Sequence, residues 1–154
     1  MHLGSIYLIV KDFSKSIRFY EQLLEMPVTR RNMDRFAQFI FEGQNISIMN
    51  GYFDTAYPDK VIRKGSYDRE FDDKRLIADS VNTNKFVLNF WAEDLRKERQ
   101  RILAAGFADQ ITTVKYINAG QPYYYFQVKD PDDNVIEITG SYYPDDGELT
   151  QNTE

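Results

Sequence analysis

The chain of 154 residues contains no cysteine. Disulfides, thiolate zinc sites and a cysteine nucleophile are therefore excluded, and the composition fits a reducing compartment. Histidine occurs once, as His2. A Ser-His-Asp triad would have to draw its base from the terminus, and one chain offers no two-histidine metal site. The eight glycines never fall into a phosphate-cradling G-x-G-x-x-G or G-x-x-x-x-G-K pattern, so nucleotide chemistry has no foothold. No apolar run is long enough to span a bilayer. The start, Met1-His2-Leu3-Gly4, lacks the charged-then-apolar layout of a signal peptide. The expectation is a cytoplasmic protein with no membrane partner. A basic excess is also absent: the net charge is −5, which disfavours nucleic acid as a partner. Ordinary acidic solubility is the first reading of that charge, and affinity for a cationic ligand is the second.

Aromatic and aliphatic material is plentiful. Hydrophobic residues make up 42 % of the chain, with 11 Tyr and 11 Phe, enough for a packed core. The pattern is a weak internal repeat. Ser5-Ile6-Tyr7-Leu8-Ile9-Val10-Lys11-Asp12 is an apolar run ending in an acid that opens a helical stretch, and Val87-Leu88-Asn89-Phe90-Trp91-Ala92-Glu93-Asp94 does the same later. In the first helix Phe13, Ile17, Tyr20 and Leu24 recur at helical spacing, with Asp12 or Ser14 as N-cap and Pro27 as terminator. Phe36–Glu42 and Ile46–Met49 read as strands around a turn at 42–45, and a short strand near Val28 is a further candidate. In the second half Phe86–Trp91 reads as a strand. Asp94 caps a helix burying Leu95, Ile102 and Leu103, and Gly106 sits at its C-terminal end. Strands are expected over Ile111–Tyr116, Tyr123–Val128 and Val135–Thr139, the last two joined by the turn Asp130-Pro131-Asp132-Asp133-Asn134. This divides the chain into a first β-α-β-β-β module over 1–50, a connector over 51–84, a second module over 85–143 and a polar tail over 144–154. The connector mixes charges with five aromatics. It reads as a packed crossover, with a lid as the functional alternative.

Val10-x-Asp12-x-x-x-Ser16-x-x-Phe19-Tyr20-x-x-Leu23-Leu24 resembles the opening of the vicinal oxygen chelate superfamily, which includes glyoxalase I, bleomycin-resistance proteins and extradiol dioxygenases. Asp130-Pro131-Asp132-Asp133-Asn134-x-Ile136-Glu137 resembles its closing signature, with Asp133 where a glycine is usual. The resemblance covers about residues 3–143. It implies an α+β fold of two β-α-β-β-β modules, whose strands form a cupped mixed sheet around a central cavity. It also implies four metal-ligand positions, which match Ser5, Ser47, Val87 and Glu137. Only Glu137 is a metal-binding type. Valine has no donor, and neutral hydroxyls are weak ligands for a divalent ion. The expectation is therefore no metal and no cofactor, with a divalent-metal enzyme as the alternative.

Strand alternation supplies a lining. Ser5 brings Tyr7 and Ile9; Ser47 brings Met49; Asn89 and Trp91 alternate with the helix-facing positions; Glu137 brings Val135 and Thr139. Tyr125 is the inward member of the run Tyr123-Tyr124-Tyr125-Phe126. The expected ligand-binding set is Ser5, Tyr7, Ser47, Met49, Asn89, Trp91, Tyr125 and Glu137, suited to a flat or cationic organic compound. Trp91 and Tyr7 also read as core or interface filler. No catalytic residue is assigned; Glu137 is the one weak candidate, as a general acid or base. The leading expectation is a metal-free small-molecule binder of the bleomycin-resistance kind. A metal-dependent lyase, isomerase or dioxygenase comes second, and a ligand-sensing or interaction module third. The resemblance also implies a homodimer.

Overall fold

The computed structural model describes residues 6–62, 69–81, 87–118 and 122–144. The expectations on His2, Ser5 and the tail beyond 144 fall outside the described residues. The described residues form an α+β protein with two four-stranded mixed sheets, neither closed on itself, in two compact units that divide after Asn82.

The first unit runs β1 (Ile6–Val10), α1 (Phe13–Leu23), β2 (Arg30–Asn32), β3 (Phe36–Phe41) and β4 (Gln44–Asn50), in the sheet order β1-β4-β3-β2. β1 and β4 pair in parallel and the other neighbours are antiparallel. Alternation along these strands sends Val10, Ala37, Phe39, Ile46 and Ile48 to one buried face, where α1 brings Phe13, Ile17, Phe19, Tyr20 and Leu23. Each of the larger aliphatic and phenyl side chains among these contributes about 1.5–3 kcal/mol on burial. Asp12 is the N-cap of α1 and accepts a hydrogen bond from the Lys15 amide at 2.9 Å. The helix stops before Pro27. Glu25 takes a left-handed φ of 52° and the Met26 amide bonds the Glu21 carbonyl, a C-terminal closure that turns the chain without needing the proline. The apolar face accordingly ends on the buried Leu23, with Leu24 half-buried as the C-cap. The expected turn at 42–45 is tighter than its sequence suggests: only Glu42 (φ 48°) and Gly43 (φ 73°) lie between β3 and β4, the left-handed pair that suits a two-residue hairpin.

The segment after β4 carries α2 (Phe53–Ala56), a single 3-10 turn at Pro58–Lys60, α3 (Arg69–Asp72) and α4 (Lys74–Asp79). Phe53 and Ala78 are buried, and α4 packs on β1. Gly51 permits this approach, since a Cβ there would lie 2.5 Å from the Ala78 Cβ. Asp54 holds Arg35 through two hydrogen bonds of 2.8 and 3.2 Å. That hydrogen-bonded carboxylate raises the Arg35 pKa above its ordinary value, against the opposing effect of burial. Tyr52 donates to Asp79, which pushes the phenol pKa up.

The second unit repeats the plan with β5 (Leu88–Ala92), α5 (Leu95–Ala105), β6 (Lys115–Asn118), β7 (Pro122–Lys129) and β8 (Val135–Gly140), in the order β5-β8-β7-β6. Leu88, Phe126, Val128, Ile136 and Ile138 are buried on the face where α5 brings Leu95 and Ile102. Leu103, expected in this core, is 48 % exposed: it follows Ile102 by about 100° around the helix and so leaves the buried stripe. The strand expected at Ile111–Tyr116 begins at Lys115; Ile111 makes only an isolated bridge to Val128. In the turn before β8 the buried Asp130 accepts from the amides of Asp132 and Asn134 and from the Asn134 side chain at 2.8–2.9 Å. Asp133, standing where a glycine is usual, adopts a left-handed φ of 64°.

A Cβ on Gly140 would lie 1.9 Å from the Ala92 carbonyl oxygen, so β5 and β8 can approach there only with glycine. Gly140→Ala is expected to cost about 3 kcal/mol in chemical denaturation, the upper end of overpacking costs. Asp94 caps α5 and accepts from the Lys97 amide at 3.0 Å; this backbone hydrogen bond lowers its pKa below the ordinary 3.8, assisted by the Lys97 charge. A depressed folded-state pKa adds stability above the unfolded value that is lost as pH falls through the folded one. Asp94→Ala should therefore melt below the parent at neutral pH, with the gap closing below about pH 4; a gap independent of pH would contradict the assignment.

Candidate functional site

The face of each sheet opposite its helix holds the expected site residues, in two groups. In the first unit Tyr7 stands beside Ser47 and Ile9 beside Met49, through the parallel β1–β4 register; Gln38 and Phe36 follow from β3. Ser47 is fully buried, and its hydroxyl donates to the Asn45 side-chain oxygen at 3.1 Å. Tyr7 is 48 % exposed and meets Phe36 edge-to-face at 6.2 Å. This face is mostly apolar and aromatic.

The second unit is polar at the equivalent place. Asn89 stands beside Glu137 and Trp91 beside Thr139 through the parallel β5–β8 register, while β7 sets Gln127 beside Glu137 and Tyr125 beside Thr139. Asn89 Nδ2 donates to Glu137 Oε1 at 2.9 Å, and Gln127 Nε2 donates to Oε2 at 3.4 Å. Lys115, paired with Tyr125 on β6, donates its ammonium to Gln127 Oε1 at 3.1 Å and lies 5.8 Å from the centre of the Tyr125 ring. A continuous polar row thus crosses four strands: Asn89, Glu137, Gln127, Lys115. The row beside it is Trp91, Thr139, Tyr125. Thr139 turns its hydroxyl to the Tyr124 carbonyl at 2.9 Å, so Trp91 and Tyr125 flank a position whose polar atom is already engaged. The two rings rise from strands about 10 Å apart. Trp91 is 67 % exposed.

The repeat is visible in the bonding as well as in the element order. The Thr29 amide bonds the Gln38 carbonyl at 2.8 Å, and the Thr112 amide bonds the Gln127 carbonyl at 2.9 Å. Gln38 pairs with Ser47 as Gln127 pairs with Glu137. A family model for the glyoxalase/bleomycin resistance protein/dioxygenase superfamily matches residues 2–138. The chain belongs to that superfamily. Solved structures agree on the fold. A glyoxalase-related enzyme from Fulvimarina pelagi is 16 % identical, with 92 % of this chain and 88 % of that one covered and a TM-score of 0.57. A lactoylglutathione lyase from Agrobacterium tumefaciens is 14 % identical over 90 % and 92 %, with a TM-score of 0.56. A glyoxalase/bleomycin resistance protein/dioxygenase family enzyme from Burkholderia phytofirmans is 18 % identical over 91 % and 98 %, with a TM-score of 0.59. At such identities the likeness carries the fold alone. No curated protein matches the chain in sequence.

Within the superfamily frame, three of the four positions implied for metal ligands are described. Val87 lies just before β5, 41 % exposed and without a donor atom; Ser47 is turned to Asn45; Glu137 accepts from two amides. Among the described residues no group of three His, Cys, Asp or Glu side chains could hold a metal ion. Gln127 and Lys115 join the site although the sequence did not mark them. Gln127 shares the parity of Tyr125 and could have been found by alternation; Lys115 depends on a register that alternation does not supply.

The exposure of Trp91, the chain's one tryptophan, is directly measurable. Its emission should resemble that of indole in water and be quenched by acrylamide; a blue-shifted, protected emission would contradict the arrangement.

Proposed function

We propose that the chain is a metal-free small-molecule-binding protein whose ligand is a flat organic cation held on the open face of the second sheet. The observation that carries this reading is the neighbouring of an exposed indole and an amide-braced carboxylate on one strand-paired surface: Trp91 with Tyr125, and Glu137 with Asn89 and Gln127. Aromatic faces stack on flat rings and attract cations, and a carboxylate held by two amides offers its charge in a fixed orientation. The donor chemistry supports the metal-free part. A single carboxylate with both oxygens in amide hydrogen bonds, a hydroxyl turned to an asparagine and a valine do not make a divalent-ion site.

Titration of Trp91 fluorescence with benzylamine and the neutral benzyl alcohol tests the reading. Benzylamine should quench or shift the emission saturably, benzyl alcohol should bind more weakly, and Glu137→Gln should weaken benzylamine about tenfold, as expected for a charge-assisted hydrogen bond. Absence of saturable binding by both compounds would sink the reading. A stoichiometric divalent ion in protein purified without chelator, lost in Glu137→Gln, would return the chain to the metal-dependent lyases and dioxygenases of its superfamily.

A further inference from the structure

We propose that Lys115 and Gln127 form an anion-recognising end to this face, so that the ligand is an aromatic zwitterion rather than a simple cation. The inference rests on the binding reading above and narrows it. Its basis is the order of groups across the sheet. Glu137 lies on β8, Gln127 beside it on β7, and Lys115 on the edge strand β6. The ammonium of Lys115 touches the carbonyl oxygen of the Gln127 amide, and the nitrogen of the same amide touches the Glu137 carboxylate. One side-chain amide therefore separates a fixed negative charge from a positive one, and the two charges rise from strands two spacings apart in the sheet.

This arrangement serves a dipolar ligand better than either charge alone. Had Lys115 met Glu137 directly, the pair would neutralise each other and leave little field for a ligand. Gln127 prevents this by presenting its oxygen to the cation and its nitrogen to the anion, which makes it a positioning residue for both. Lys115 is exposed, three-donor and mobile enough to accept a second partner while it keeps Gln127. The Tyr125 ring lies between the lysine and the Thr139 position, so an aromatic body over Thr139 would have Glu137 along β8 and Lys115 beyond Tyr125. A rigid ring with an ammonium at one end and a carboxylate at the other fits that spacing; an α-amino acid, whose charges lie side by side, does not.

The test is an NMR titration of the full chain, following the Trp91 indole N–H and the Gln127 side-chain amide, with three probes: 4-(aminomethyl)benzoate, its methyl ester, and benzylamine. The zwitterion should bind about three- to tenfold more tightly than the ester or benzylamine at low ionic strength, with the advantage shrinking as salt is added, as for an exposed charge pair. It should also move the Gln127 amide signals. In Lys115→Met the zwitterion should lose its advantage over benzylamine, which should itself bind no more weakly than to the parent because a like charge has been removed; Lys115→Arg should retain the advantage. Both variants lie on an exposed edge-strand position, and unchanged dispersion of the remaining signals confirms folding. Equal binding of all three probes, or an advantage that survives Lys115→Met, overturns the inference while leaving the cation-binding reading intact. Failure of all three probes to bind overturns both.

Discussion

The parallel pairing of the first and last strand of each module is the constraint from which the rest of the site follows. A parallel pair cannot be closed by a tight turn, so helix and antiparallel strands must intervene, and the module's β-α-β-β-β order is the result. The same pairing brings together residues far apart in sequence: Tyr7 with Ser47, and Asn89 with Glu137. Because side chains alternate across the sheet, one register also fixes which residues go to the helix and which to the open face. A slip of β8 by one residue would send Glu137 and Thr139 into the apolar layer beneath α5 and bring Ile136 and Ile138 out. The core and the candidate site are therefore specified by one set of hydrogen bonds, and Gly140 guards its end.

The two modules show the same frame supporting different chemistry. Both helices have an Asp N-cap that accepts from the residue three positions on, and both contain 11 residues. Both sheets carry the same Thr-to-Gln backbone bond. Yet the serine of the first module is buried and occupied locally, under a face where Tyr7 and Phe36 pack edge-to-face, whereas the glutamate of the second is half-buried within a row of polar side chains. Burying a carboxylate without partners would cost several kcal/mol, roughly; the amides of Asn89 and Gln127 provide the partners. A single substitution at that position thus requires neighbours of matching chemistry, and the second module has them.

Much of this was legible in the sequence because it depends on local rules. The caps Asp12 and Asp94, the helical stripes, the turn at Asp130–Asn134 and the shared parity that puts Tyr7, Asn89, Trp91, Tyr125 and Glu137 on the faces opposite the helices follow from spacing, and the two superfamily-like motifs bracket most of the chain. What escaped depends on non-local geometry. The end of α1 before Pro27 is set by the left-handed Glu25, which composition does not announce. The start of β6 at Lys115 is set by pairing with β7, and with it the contact to Gln127. The connector's short helices are held by Gly51, Phe53 and the Arg35–Asp54 pair, none of which shows helical periodicity.

The polar row would also let the half-buried carboxylate of Glu137 act as a binding group in water. A solitary surface Glu gains little from a cation, because solvent screens the charge and the flexible side chain loses rotamer freedom on pairing. Glu137 is held by its neighbours before a ligand arrives, so that entropic loss is already met by folding. Trp91 and Tyr125 supply the remaining term: apolar area removed from water contributes about 25 cal/mol per Å², and a stacked ring displaces solvent beside the carboxylate at the same time. Desolvation strengthens the charge interaction that the ring's arrival permits. In the proposed binding mode the indole and the carboxylate would be coupled through the solvent that a stacked cation displaces, so that each would strengthen the other's contact.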